Sequence, residues 1–233
     1  MNTTDIIELL DKHRNERGIN HWNKLNPKHD SLKSFGIGLT VLRKLAKKVG
    51  RNHEFAKQLW ESEIYDVKII SLLIDDPKLM TRAQAENQVD QLYQGHLAHV
   101  FSSCDAALSK TPFVVPLLMD WINSNVTIRK RCGYGLLYEV SKFTKKGTPD
   151  NAFFLDRIEQ ILNTFEGEKN IIKAAMGGAL MGMGKRNIEL NSAALMVAQK
   201  MGPIDIDSGV TDCKPFDVAK HLTSDYIKKK LNI

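Results

Sequence analysis

Between residues 3 and 200 the apolar positions recur at steps of three and four, the period of one helix face. No stretch before residue 200 alternates apolar and polar as a half-buried strand would, and none carries a hairpin signal. The pattern is clearest over residues 125–146, NVTIRKRCGYGLLYEVSKFTKK. Ile128, Cys132, Leu136, Val140 and Phe143 form an apolar stripe that must face a core. Arg131, Tyr134, Tyr138 and Lys142 form a second line, cationic and aromatic. Gly133 and Gly135 lie beside it. Each costs a helix interior roughly 1 kcal/mol against alanine, so something comes close to the backbone there. Two readings follow: a tightly packed neighbouring helix, or a surface that meets a polyanion.

The same periodicity predicts a helix over residues 3–17, capped by Thr3 or Thr4, followed by an Asn-, Gly- and Pro-containing loop over 18–31. Trp22 either packs that loop down or faces a partner. Residues 34–49 turn helical around Leu39, with Leu39, Leu42, Leu45, Ala46 and Val49 inward and Arg43, Lys44, Lys47 and Lys48 on the opposite, basic face. Asn52 caps a helix through Trp60. Residues 63–74 form another, ended by Asp75, Asp76 and Pro77, and Thr81 opens one that runs to about Tyr93. Further helices are expected over 97–108, 112–123, 151–164, 169–182, 191–201 and 216–231. The last ends in Lys228, Lys229 and Lys230, which suits a helix C-terminus. The segment 202–215 reads as extended.

These helices fall into pairs spaced loosely at about 40 residues, near the period of HEAT-type repeats. In such a solenoid each pair buries its apolar face against its neighbours and leaves a concave face for a partner. The expected fold is therefore all-α, a HEAT-like α-α superhelix forming a single domain over residues 1–233 with a concave basic groove. An irregular helical bundle is the alternative.

Composition narrows the function. Of 233 residues, 42% are apolar and 26% charged, as in soluble globular chains. No apolar run approaches the ~18 residues that cross a bilayer, and the charged N-terminus lacks a signal-peptide core. A cytoplasmic protein without membrane contact is expected. Cys104, Cys132 and Cys213 are odd in number and lack paired spacing, which points to reduced thiols rather than disulfides or zinc. His96 and His99 have no acidic or cysteine ligand at a fixed spacing, so no metal is expected. The glycine-rich MGGALMGMG lacks the Lys-Ser/Thr of a phosphate loop, so no nucleotide cofactor is expected either. The formal charge is +6, and residues 1–60 hold 12 Lys/Arg against 6 Asp/Glu while the remainder balances. That excess points to an anionic partner, although a solvated basic surface accounts for it equally.

Three stretches resemble the AlkD-like DNA alkylation repair family of HEAT-repeat proteins. They are SFGIGLTVLRKLAKK, LWESEIYDVKIISLLIDDPKLMT and FSSCDAALSKTPFVVPLLMDWINSNVTIRKRCGYGLLYEVSK. Their order and spacing carry the resemblance, which spans roughly residues 30–200. The tail GPIDIDSGVTDCKPFDVAKHL resembles a little-characterised branch of that family.

The resemblance implies a DNA glycosylase that excises cationic N3- or N7-alkylated purines from double-stranded DNA. Such a lesion already carries its leaving-group charge, so a carboxylate beside the sugar is the main catalytic need, and it is strongest where water is excluded. The family's aspartate falls on Asp105 and its DNA-gripping arginine on Arg131, with Arg129 and Lys130 adjacent. One of its two tryptophans falls on Phe101; the other falls on Gly178, a departure that removes an aromatic wall. Tyr138, Lys142, Arg43, Lys47 and Lys185 are further candidates for DNA contact, since phosphate contacts supply affinity without sequence choice. The bland alternatives are an Asp105 paired with Arg129 or Arg131 and a Phe101 in the core. The alternative function is a HEAT-like module that binds DNA or a protein partner and has lost the chemistry.

Overall fold

The computed structural model describes residues 2–25, 32–92, 96–145, 147–206 and 214–233, with only the backbone of His96. Cys213, Tyr93 and half of the extended-looking tail segment lie outside these residues. The chain forms two compact units, Met1–Phe113 and Val114–Ile233.

The first unit contains α1 (Thr3–Asp11), α2 (Glu16–Leu25), α3 (Leu39–Val49), α4 (His53–Trp60), α5 (Tyr65–Ile74), α6 (Arg82–Asp90) and α7 (His96–Ser102), then a 3-10 turn at Ala107–Lys110. α5 is the centre. Nine of its ten residues are buried, and α3, α4 and α7 all pack on it. Asn52 and Thr81 cap α4 and α6 as expected.

Two expectations fail at the N-terminus. α1 is capped by Asn2, whose side chain and that of Asp5 satisfy each other's backbone N–H. The helix then stops, and α2 occupies ground that reads as loop. Asn15 Oδ1 accepts from Gly18 N at 2.9 Å, opening α2. No residue of α2 is buried, so tertiary contacts hold it. Trp22 stacks on Tyr65 with ring centroids 4.2 Å apart. Gly18 lies so close to Gly36 that a Cβ would stand 2.0 Å from the Gly36 carbonyl oxygen.

Buried Asp66 sets the path of the segment beneath α2. Its carboxylate accepts from Ser34 Oγ at 2.9 Å, Phe35 N at 2.8 Å and Ile37 N at 3.1 Å. Burial raises its pKa against the lowering pull of these bonds. Asp75 ends α5 as expected and is also a hub. It bonds His53 Nδ1 at 2.7 Å, Gln84 Nε2 at 2.8 Å and Asp76 N at 2.7 Å.

The second unit contains α8 (Val114–Ile122), α9 (Thr127–Val140), α10 (Asn151–Thr164), a 3-10 turn (Phe165–Gly167), α11 (Asn170–Met183), α12 (Ile188–Met201), α13 (Val218–Leu222) and α14 (Asp225–Leu231). α9 is held on two sides. A Cβ at Gly133 would stand 2.7 Å from Ile122 N of α8, and one at Gly182 of α11 would stand 2.8 Å from Tyr138 Cδ2. The first contact confirms the tight-packing reading of that glycine.

α9 ends at Val140, before the expected basic exit, and Arg186 binds carbonyls just past that end. The guanidinium donates to Ser141 O at 2.5 Å and Phe143 O at 2.8 Å, and lies 4.5 Å from the Phe154 ring centroid. The tail segment is pinned by a two-bond antiparallel bridge between Ile204 and Phe216, at 3.0 and 2.8 Å. The final helix is two: Asp217 caps α13, and Ser224 precedes α14. Among the described residues there are no strands beyond isolated bridges.

Candidate nucleic-acid interface

In the first unit α7 buries Leu97, Val100 and Phe101, residues on one helical face. Phe101 is 0% exposed. It is a core residue, which corrects its assignment as an aromatic wall of a DNA site. The helix stops immediately afterwards, and Cys104 and Asp105 both take left-handed backbone angles, each with φ of 62°. Side chains rarely adopt this region, although aspartate does so more readily than most. The turn swings Asp105 outward, leaving its side chain 78% exposed.

The acid is not helical, and its recorded ionic neighbour is Lys110, with Nζ 3.9 Å from Oδ1. That ammonium donates to Asp105 O at 2.8 Å. Water reaches the carboxylate freely, and in water a charge at contact distance is worth about 1 kcal/mol. On α3, Arg43 is half-buried and Lys47 exposed, opposite the buried Leu42, Leu45 and Ala46.

In the second unit Arg129, Lys130 and Arg131 open α9, all half-buried. Lys130 is committed to Glu168 by an ion pair at 2.5 Å. Tyr134 does not join a cationic–aromatic surface. It is 2% exposed, and burial, partly offset by a hydrogen bond with Thr164, pushes its phenol up to about 12. The second line along α9 fails there because the helix is flanked on both sides.

Beyond Tyr134 the line holds. Lys142 Nζ lies 4.2 Å from the Tyr138 ring centroid and 2.7 Å from Glu139 Oε1. Gly178 faces open space, with nothing within 4 Å of where a Cβ would stand.

Lys185 is half-buried at the end of α11. Its pKa is lowered by burial and then by the positive charges of Lys230 and Lys142. Lys142, Lys185 and Lys230 therefore form one basic cluster. The run Lys228–Lys230 reads in sequence only as a complement to a helix dipole, and no spacing links it to Lys185; the fold alone brings them together.

Among the described residues no group of three or more His, Cys, Asp or Glu could hold a metal ion, and no helix is long and apolar enough to cross a membrane.

The fold has a solved counterpart, reported as "A new family of proteins related to the HEAT-like repeat DNA glycosylases with affinity for branched DNA structures". The two match with a TM-score of 0.80 over 100% of this chain and 97% of that one, at 19% identity. This establishes an all-α, HEAT-like fold. Two relatives are uncharacterised proteins of Listeria. Lmo0209 of Listeria monocytogenes is 28% identical, and Lin0241 of Listeria innocua 24%. Each aligns over 195 residues, 83% of this chain and 84% of the relative. The sequence model of a family described as "DNA alkylation repair enzyme" matches residues 6–210, and the chain belongs to that DNA alkylation repair family.

Proposed function

We propose that this protein binds DNA at branched or distorted sites through its phosphates and excises no base. The observation that carries this reading is the 78% exposure of the Asp105 side chain. A carboxylate that stabilises a developing sugar cation acts best in a dry pocket walled by aromatic rings. Asp105 is open to solvent and faces Lys110, a cation that offsets its negative charge. Of the two aromatic positions, Phe101 is core and Gly178 has no side chain. The affinity of the solved counterpart for branched DNA favours a structural rather than a chemical target.

Basic residues remain for such binding. Arg131 on α9 and Arg43 and Lys47 on α3 are candidate phosphate contacts, joined by Lys142 and Lys185. Phosphate binding predicts an affinity that falls steeply with salt, with a slope of about −0.9 per phosphate neutralised.

The test pairs two measurements on the purified protein. Fluorescence anisotropy should show tighter binding to a four-way junction than to a duplex of equal length, weakening as KCl rises. Incubation with methylated DNA should release neither 7-methylguanine nor 3-methyladenine. Base release above background that disappears in Asp105→Asn would overturn the proposal in favour of excision. Absence of DNA binding at low salt would point to a protein partner instead.

A further inference from the structure

In the second unit the turn after α11 is fastened to the end of α9, and α14 brings a third lysine within electrostatic reach of Lys185. α9, α11 and α14 finish at Val140, Met183 and Leu231. Lys142, Lys185 and Lys230 stand within two residues of those ends. The convergence is built by specific contacts. Arg186 fastens the turn between α11 and α12 to the carbonyls that follow α9. Gly184 lies against Leu222 of α13, with a Cβ there only 2.6 Å from Leu222 Cδ2. Asn191 Nδ2 donates to Gly184 O at 2.9 Å and to Leu222 O at 3.4 Å, tying α13 to the same turn. α14 follows directly, anchored by buried Ile227 and Leu231.

Stabilisation of the end of α9 does not account for Lys142. Arg186 already serves the carbonyls past the end of α9. Lys142 has a carboxylate in Glu139, but among the described residues neither Lys185 nor Lys230 has a side-chain partner. Lysines held near one another without counter-charge repel, and an anion placed among them removes the penalty. A polyanion with regularly spaced charges suits three ammonium groups on short tethers better than a single ion does.

We propose that Lys142, Lys185 and Lys230 form a binding site for consecutive phosphates of a DNA strand, completed by the C-terminal helix α14. The inference rests on the DNA-binding reading above and adds a contact from outside the family match, because α14 lies beyond residue 210. Burial and the two neighbouring charges depress the Lys185 pKa, as expected of an ammonium lacking its counter-ion.

The experiment measures anisotropy of a labelled four-way junction with the full chain across a series of KCl concentrations. The variants are Lys230→Gln, Lys230→Arg, the triple Lys142→Gln/Lys185→Gln/Lys230→Gln, and Lys57→Gln as a surface control on α4. The expected slope of log K against log salt falls by about 1 in Lys230→Gln and by about 2–3 in the triple variant. Lys230→Arg and Lys57→Gln should match the unaltered protein. Lys230→Gln should melt at the same temperature or higher, since repulsion has been removed; the triple variant in addition takes Lys142 from the buried Glu139 carboxylate.

An unaltered slope and affinity in the triple variant overturn the inference while the DNA reading stands. A lower melting temperature of Lys230→Gln with an unaltered slope assigns Lys230 to helix-end stabilisation, and also overturns it. If the unaltered protein binds no DNA at low salt, both readings fall together.

Discussion

The two units differ in the charge they gather, although the first also buries Lys68 and the second Glu139. The first encloses carboxylates. Asp66 is 0% exposed and Asp75 3%, and each accepts three hydrogen bonds from groups its own unit supplies. The second places cations at helix ends. Arg186 gives Nη1 to two carbonyls while its Nε stays buried without a partner, whereas the Lys142–Lys185–Lys230 cluster has one acid against it, Glu139. Charge that the fold satisfies serves the fold, because breaking it leaves a buried group unpaired. Charge that the fold collects and leaves unsatisfied is available to a partner. By that criterion Asp105, exposed and outside any buried network, belongs to neither group.

The sharpest way to break this comparison is Asp66→Ala. It strands Ser34 Oγ and the backbone N–H groups of Phe35 and Ile37 beneath α2. A loss of roughly 3–4 kcal/mol is expected in urea unfolding, together with faster proteolysis of the N-terminal residues. A loss below about 1 kcal/mol would show that Asp66 is incidental to the first unit. Asp66→Asn should also alter the pH profile. Because the folded protein raises the Asp66 pKa, it holds that proton more tightly than the unfolded chain does. The group's contribution is fully present below its unfolded pKa, near about 3.9, and is lost as pH climbs through the raised folded value. The Asn variant should lack this decline.

Arg186→Ala is the counterpart in the second unit, with a smaller expected effect because the residue is only half-buried. It removes two charge-assisted bonds to Ser141 O and Phe143 O and the contact with Phe154. A loss of about 2–3 kcal/mol should appear in urea unfolding. If α9 depends on this cap, amide exchange should also accelerate over its last turn. Unchanged exchange there would mean that α9 ends for reasons of its own sequence.

How far these features can be read from the sequence depends on where their cause lies. Local causes are legible. Asn52 and Thr81 cap the helices that follow them, and the periodicity of residues 151–164 places α10 to the residue. α2 is not legible, because Gly18, Asn20 and Asn23 favour a loop locally. Its helix is held by the Trp22–Tyr65 stack and the Gly18–Gly36 approach, both long-range. Tyr134 shows another limit. Helical spacing puts it in line with Arg131 and Tyr138, but the burial of both flanks of α9 depends on its neighbours. At the candidate site, resemblance locates Asp105 but cannot reveal its left-handed turn or its exposure to solvent. Phe101 reads as readily as core as it does as site. Lys142 and Lys185 are visible as basic positions, whereas Lys230 joins them only through the docking of α13 and α14.

The smallest predicted effects separate two glycines with different surroundings. At Gly133 an added methyl would meet Ile122 N at 2.7 Å and Trp121 C at 3.0 Å, backbone atoms that cannot swing aside. Gly133→Ala should therefore cost about 1–3 kcal/mol by forcing α8 from α9, exceeding the gain in helix propensity. Gly178 has nothing within 4 Å, and Gly178→Ala should stabilise the protein by roughly 0.5–1 kcal/mol through helix propensity alone. Urea unfolding of the two variants should thus give opposite signs. A destabilised Gly178→Ala would mean that a neighbour closes over that position in solution. The same open space accepts the Cβ of Gly178→Trp, which restores the aromatic type that the family resemblance places there. If Asp105 were still competent for excision, that variant would gain base release from methylated DNA. Continued inactivity is the expected result, because the added ring does nothing to withdraw Asp105 from water or from Lys110.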